Sequence, residues 1–115
     1  MIASQLKKKI KKYCLENNSI EACGVVVGGS GSAGFLPCKN IHPCPEAAFA
    51  FSPKHIIRED LKYIFHSHPK TCSRASEIDK KYSNELGVPF LIYSLPADDF
   101  SLYLPKRVYK YSGIR

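Results

Sequence analysis

The sequence predicts a single α/β domain in which a mixed, curved β-sheet is flanked by helices. Its 115 residues are typical of one domain with one sizeable core. Apolar residues recur at helical spacing near the N-terminus, and several short β-branched or alternating runs are bounded by glycine and proline, as expected for strands. Hydrophobic residues make up 44% and charged residues 23%, which indicates an ordinary globular chain.

Residues 2 to 16 predict an amphipathic helix. The apolar side chains that share one side of it are Ile2, Leu6, Ile10 and Cys14. Lysines at positions 7, 8, 9, 11 and 12 occupy the other sides and supply +5 of the formal net charge of +7. We interpret them as a solvated helix face. The alternative is a basic surface for nucleic acid or another acidic partner, but no interleaved aromatic residues favour it.

The first strands are predicted directly after this helix. The run CGVVVG, from Cys23 to Gly28, is β-branched and bounded by glycine, which predicts a buried strand with Glu21 just before it. The stretch GGSGSAG, residues 28 to 34, predicts a flexible turn that leads into a FLPCKNI strand. The two strands are expected to form a hairpin.

The rest of the chain alternates between short strands and helices. Residues 42–46 (HPCPE) predict a loop, AAFAFS at 47–52 a strand, and PKHIIREDL a brief helix opened by Ser52 and Pro53. KYIFHS at 62–67 predicts a strand, and SEIDKKYSNEL a helix with Ser76 as its cap and Gly87 at its end. VPFLIYSL and DDFSLYL predict two last strands joined by a turn at 96–99.

The cysteines and the N-terminal residues indicate the redox state and the cellular location of the chain. Five cysteines are an odd number without a CxxC pair, so we predict that most are reduced and several, such as Cys23, are buried. Lysines interrupt the N-terminal apolar residues, so we expect no secretory signal and a cytoplasmic location. No stretch approaches the roughly 18 apolar residues that span a bilayer, so we expect no membrane partner.

The segment His66-Ser67-His68-Pro69, followed by Ser76 and Asp79, predicts a metal site. Histidines two apart on a strand face the same side, so both can reach one ion. Ten residues separate His68 from Asp79, enough for a loop to return this carboxylate as a third ligand from the first turn of a helix. Three protein ligands leave a position open for water, as in catalytic zinc (Zn²⁺) sites. Hydrogen-bonded strand histidines are the alternative interpretation of this segment.

Hydrolysis also requires a group that moves a proton, and our candidate is Glu21 at the mouth of the buried strand. Ser76 can donate a hydrogen bond to an oxyanion, and a role in capping the helix is compatible with this. Glu21 as a plain surface residue and Cys72 as an extra metal ligand are alternatives. We expect His42 and His55 to be surface residues.

Glu21-x-x-Gly24 before a strand, then His66-x-His68-Pro69, Ser76 and Asp79, resembles the JAMM motif of JAB/MPN metallopeptidases. The EACGVVVG, FSP, FHSHP and GVPFLIYS segments look most like the JAB domain of phage tail-assembly proteins. The resemblance covers nearly all of residues 1–115. It implies the JAB/MPN fold, which is cytidine deaminase-like, and hydrolysis of a peptide or isopeptide bond. By position it implies zinc ligands at His66, His68 and Asp79, an acid/base at Glu21 and an oxyanion donor at Ser76.

The resemblance leaves several functions open. A phage tail-assembly peptidase is our first hypothesis, and it implies a virion-associated protein as an alternative to a cytoplasmic one. In such tail proteins a second, cell-wall-cleaving peptidase domain typically follows this one. The other hypotheses are a bacterial deconjugase of ubiquitin-like or sulfur-carrier proteins and a non-catalytic scaffold. The expected partners are therefore a protein or peptide substrate, phage tail components or a ubiquitin-like protein, and not nucleic acid.

Overall fold

Two α-helices and one five-stranded sheet form the part of the chain that the computed structural model describes, residues 2–28 and 33–107. In chain order the elements are α1 (Ser4–Glu16), β1 (Cys23–Val27), β2 (Gly34–Cys38), a 3-10 turn (Pro53–His55), β3 (Leu61–His68), α2 (Glu77–Leu86), β4 (Phe90–Ser94) and β5 (Asp99–Tyr103). The predicted α/β class is confirmed.

The sheet is mixed, with strand order β2-β1-β3-β4-β5. All neighbouring strands are antiparallel except β3 and β4, which are parallel and are joined by α2 as the crossover helix. The predicted hairpin is present, because β1 and β2 pair from Cys23 opposite Cys38 to Val27 opposite Gly34. Residues 29–32 of the predicted turn lie outside the described residues. The crossover places the start of α2 near the carboxyl end of β3.

Helix α1 covers one face of the sheet. Its buried residues Leu6, Ile10 and Cys14 pack with Phe35 and Phe65 in one core cluster. The predicted apolar side of this helix is therefore confirmed, although the helix begins at Ser4. The lysines lie away from this core, and two of them meet β5 or the turn before it. Lys11 pairs with Asp98 at 3.0 Å and Lys7 lies over the ring of Phe100.

The opposite face of the sheet carries the second core cluster and the predicted site. Ile64 of β3 and Phe90 of β4 pack there with Leu86 of α2. Because side chains alternate along a strand, His66 and His68 lie on the same face as Ile64, while Phe65 faces α1. The two histidines therefore extend a hydrophobic row toward the end of β3.

Two local predictions are corrected on this face. AAFAFS is not a strand, since residues 47–52 form no ladder, although Phe49 and Phe51 still pack against the second cluster. Its backbone hydrogen bonds go instead to the side chain of Asn40, to Ile41 and to the carbonyl of Cys44. The helix predicted for PKHIIREDL is reduced to the 3-10 turn, and the side chain of Ser52 makes no capping hydrogen bond.

The cysteine prediction holds within the described residues. Cys14, Cys23 and Cys38 are buried, Cys44 and Cys72 are exposed, and all five are free thiols. Burial raises the pKa of Cys14 and of Cys23 to about 12, so both thiols stay protonated at neutral pH. Neither α1 nor α2 has the length and apolar character that a bilayer-spanning helix requires.

Gly24 is the position in β1 where no side chain fits. A Cβ atom there would lie 2.5 Å from the backbone oxygen of Leu36 and 2.8 Å from the ring of Phe35. We expect Gly24→Ala to lower the free energy of unfolding by about 1–3 kcal/mol, because β2 would have to move away from β1.

Gly34→Ala is the matched control, since no atom of the described residues lies within 4 Å of a Cβ atom at that position. Chemical denaturation of the three proteins measures both effects. Equal stability of Gly24→Ala and the unaltered chain would contradict the close approach of β2 to β1.

Candidate metal centre

His66, His68 and Asp79 converge at the end of β3, as the sequence predicted. The Nε2 atom of His66 lies 3.0 Å from Oδ1 of Asp79, and Nε2 of His68 lies 3.1 Å from Oδ2 of the same carboxylate. One ligand atom from each residue lies within 4.8 Å of the other two. The three side chains are therefore close enough to bind one metal ion.

The environment of His66 fits such an ion. This imidazole is fully buried, and neither ring nitrogen has a hydrogen-bond partner among the described residues, because the approach to Asp79 lacks hydrogen-bond geometry. Burying a polar nitrogen without a partner is unfavourable. A cation would satisfy Nε2, the one of the two unpaired nitrogens that faces Asp79.

The protonation states of His66 and Asp79 also suit a cation. Burial raises the pKa of Asp79, but His66, His68 and the backbone N–H of Ser76 outweigh it and hold this pKa well below its usual range. Burial lowers the pKa of His66. For His68, burial acts to lower the pKa, but Asp79 and the Cys72 carbonyl raise it overall. The site thus offers an ionised carboxylate and a neutral imidazole, the forms that bind metals.

The loop after β3 orients His68. Its Nδ1 atom lies 2.7 Å from the carbonyl oxygen of Cys72, which can only accept, so Nδ1 carries the proton and Nε2 faces Asp79. The hydroxyl of Ser94 in β4 donates to the carbonyl of Thr71 at 2.7 Å and ties this loop to the sheet. Cys72 therefore contributes its backbone carbonyl, and its thiol lies outside the three-residue cluster.

The first turn of α2 orients Asp79. The backbone N–H of Asp79 donates to Oγ of Ser76 at 3.0 Å, and the backbone N–H of Ser76 donates to Oδ2 of Asp79 at 2.9 Å. This is the capping box that the sequence predicted, and Gly87 ends the helix in the left-handed conformation with φ 69°. The Asp79 carboxylate is therefore held by the Ser76 N–H at the start of α2, and its oxygens face both histidines. The hydroxyl hydrogen of Ser76 is not used in this cap.

Aromatic rings fix the plane of His66. The ring of Phe49 stacks on it with 4.4 Å between centroids and 17° between planes, and Phe90 contacts it edge-on at 5.7 Å. The sequence pattern around Phe49 predicts a strand residue and gives no sign of this role. Phe49 is only partly buried, so it covers His66 from the solvent side.

Glu21 lies at the same site but comes from a distant part of the chain, just before β1. Its neighbour Ala22 donates its N–H to the hydroxyl of Ser67, and Ala22 in turn accepts from the N–H of Ser67, both at 2.9 Å. This pair fixes Glu21 next to the strand segment that carries both histidines. Burial raises the pKa of Glu21 to about 7, with a smaller lowering effect of His68 and a raising effect of Asp79.

A groove of about 1080 Å³ opens onto these residues. Glu21, His68, Ser76 and Asp79 lie along it, between a wall formed by α2 and a wall formed by residues 46–51. His42 also lies along the groove, and His55 contacts the ring of Phe51. Both are partly exposed, and neither joins the metal-ligand cluster of the described residues.

The family model for prokaryotic homologs of the JAB domain matches residues 3–104. The chain belongs to this family. The predicted resemblance is confirmed, and the convergent His-His-Asp cluster is therefore a feature of a prokaryotic JAB domain.

One curated relative of this JAB domain is the tail tip assembly protein K of Escherichia phage N15, which is 33% identical over 90 residues. The match covers 75% of the chain and 37% of the phage protein, so the chain spans well under half of that relative. The solution structure of protein DSY2949 from Desulfitobacterium hafniense superposes with a TM-score of 0.66 at 23% identity. That superposition covers 87% of this chain and 78% of the other, and it shows a shared fold.

Proposed function

We propose that this JAB domain is a zinc-dependent peptidase that hydrolyses a peptide or isopeptide bond. The observation that carries the proposal is the buried His66 imidazole, which lacks any hydrogen-bond partner among the described residues while facing Asp79. Hydrogen-bonded structural histidines would not leave such a group unpaired. The same groove also holds Glu21, a carboxylate with a raised pKa.

His66, His68 and Asp79 would hold the ion. Two imidazole nitrogens and one carboxylate oxygen form a ligand set that suits zinc and leaves a fourth position open. When bound, zinc lowers the pKa of a coordinated water to about 7 and polarises a carbonyl group. All three ligands lie between residues 66 and 79, so one strand and one helix turn form the whole metal-binding unit.

Glu21 and Ser76 supply the remaining groups for hydrolysis. Glu21 accepts a proton from the attacking water and passes it to the departing amine, and its burial, which raises its pKa in the metal-free site, favours proton uptake. Ser76 lies at the N-terminus of α2, where its hydroxyl can donate to the oxyanion of the tetrahedral intermediate. The positive end of the helix dipole favours the same negative charge.

The groove indicates the kind of substrate. Beyond Asp79, the wall formed by α2 presents Ile78 and Tyr82, and the facing side includes Phe51 and Ile56. Ile78 is 56% exposed and Tyr82 47% exposed, so this apolar surface is open to a ligand. We propose that it binds a large apolar side chain next to the scissile bond of an extended peptide.

Ile78→Ser is expected to raise KM about 10-fold with kcat nearly unchanged, because it removes apolar contact with the substrate and leaves the catalytic groups in place. Ile57→Ser is the matched control, since Ile57 is 66% exposed and does not line the groove. Steady-state kinetics on one apolar peptide compare the two variants. Equal KM values would remove this surface from the substrate site.

The tail tip assembly relative supports a more specific hypothesis. Its name and its 33% identity favour a phage tail protein as substrate or partner. We therefore propose that the chain acts during tail assembly, in the cytoplasm of an infected cell or within the virion. A deconjugase of ubiquitin-like proteins has no comparable support.

Metal analysis combined with a cleavage screen tests the proposal. The purified chain is loaded with zinc, its metal content is measured, and a peptide library of varied sequence is incubated with it and analysed by mass spectrometry. One zinc per chain with cleavage next to large apolar residues is the expected result. One zinc without any cleaved peptide would favour the non-catalytic scaffold, and no bound metal would refute the site itself.

A further inference from the structure

We propose that Asn40 is a positioning residue of this site, which holds the segment carrying Glu21 and the segment carrying Phe49 in one arrangement. This inference rests on the proposed function, because it concerns how the proton-transfer group and a metal ligand are oriented. Asn40 lies two residues beyond the end of β2 and is partly buried.

The side chain of Asn40 uses its full hydrogen-bonding capacity. Its Nδ2 atom donates to the carbonyl of Glu21 at 2.8 Å and to that of Ala48 at 2.9 Å, with a longer contact of 3.4 Å to Pro45. Its Oδ1 atom accepts from the N–H groups of His42 at 3.0 Å and Ala50 at 3.2 Å. Carbonyls on one side and N–H groups on the other fix the orientation of the amide.

These contacts join two parts of the site that are distant in the chain. On one side the amide holds the backbone of Glu21, whose N–H also donates to the Pro45 carbonyl at 2.7 Å. On the other side it holds Ala48 and Ala50, the two neighbours of Phe49, whose ring covers His66. Asn40 therefore holds the backbone from which the Glu21 side chain extends. It also holds the backbone that places the Phe49 ring over His66.

Few other hydrogen bonds hold this segment. Residues 41–50 contain no strand. Apart from the Asn40 amide, their backbone is held by a bond between Ile41 and Ala50 at 2.8 Å, the bond from Glu21 to Pro45 at 2.7 Å, a bond from the Cys44 N–H to the His42 ring at 2.9 Å and short turns that start at Cys44. Removing the Asn40 amide would leave two carbonyls and two N–H groups without their partner. We expect the segment to rearrange while the sheet remains folded, because no strand pairing depends on it.

The test compares Asn40→Ala and Asn40→Asp with Asn84→Ala. Asn40→Asp retains an acceptor for His42 and Ala50 but loses the donors to Glu21 and Ala48. Asn84 is the matched control, because it is a partly buried asparagine of α2 whose side chain bonds Tyr103 and the backbone of Lys106, away from Glu21 and Phe49. All variants are examined as the full chain.

The first readout is independent of activity. In the zinc-free protein, nuclear magnetic resonance detects the ring protons of His66, whose chemical shifts are displaced by the stacked ring of Phe49. We expect Asn40→Ala and Asn40→Asp to lose this displacement, and Asn84→Ala to keep it. The second readout is steady-state kinetics of the zinc-loaded protein, where both Asn40 variants should lower kcat by about 100-fold, the size of effect that a 1 Å misplacement produces.

Each outcome supports or overturns the inference. Unchanged His66 shifts in Asn40→Ala, or equal losses in Asn40→Ala and Asn84→Ala, would show that Asn40 has no special positioning role. Full kcat in Asn40→Asp would show that the donors to Glu21 and Ala48 are not needed. If the unaltered chain cleaves nothing but the shifts change as expected, the proposed function fails and the positioning of Phe49 by Asn40 stands.

Discussion

Replacing Glu21 by glutamine is expected to lower kcat by roughly 10²–10⁴-fold while one zinc remains bound per chain. Glutamine has nearly the same shape as glutamate but cannot accept and return a proton at neutral pH. The backbone contacts of residue 21 with Asn40 and Pro45 do not involve the carboxylate and stay intact. Metal content and peptide cleavage, measured on the same preparation, separate the two functions.

Glu16→Gln is the control for the charge change, because Glu16 is an exposed residue at the end of α1, outside the groove. It should leave both zinc content and kcat unchanged. Full turnover by Glu21→Gln would exclude Glu21 as the proton-transfer group, and loss of zinc in that variant would indicate that Glu21 is a ligand instead.

Asp79→Asn is expected to abolish stoichiometric zinc binding while α2 still forms. The amide oxygen can accept the hydrogen bond that Ser76 now donates to Asp79, so the helix cap persists. However, the negative charge that faces both Nε2 atoms is lost. Loss of an outer-shell partner lowers metal affinity roughly 10–100-fold, and loss of a charged ligand should exceed that range.

Zinc titration with a competing chelator measures the affinity, and circular dichroism measures the helix. Glu85→Gln, which neutralises another acid of α2 outside the groove, should bind zinc as the unaltered chain does. Zinc binding by Asp79→Asn at the affinity of the unaltered chain would refute the assignment of this carboxylate as a ligand.

The convergence of His66, His68 and Asp79 was predictable because the interactions that form this cluster are local. The alternation of side chains along β3 places His66 and His68 on one face, and the serine cap with an acid three residues later positions Asp79. The hydrophobic spacing of α1 and the β-branched run of β1 were sufficient to predict these two elements, because both patterns are also local.

The segment that covers the site was not predictable from local patterns. Phe49 and Phe51 alternate with alanine as they would in a strand, but no strand within residues 2–28 or 33–107 pairs with them. Their backbone is held by the side chain of Asn40, eight to ten residues earlier, and this amide also reaches Glu21. No periodicity of the sequence encodes a hydrogen bond between one side chain and three separate stretches of backbone, so the roles of Asn40 and Phe49 emerge only from the folded chain.

The short path from β3 through α2 also has an evolutionary consequence. In the proposed mechanism the ion is held entirely by residues of β3 and α2, whereas Glu21, the proposed proton carrier, precedes the neighbouring strand β1. Under this proposal, one substitution at position 21 would remove turnover and leave the ion bound as a structural element, so active and inactive relatives would share the same scaffold.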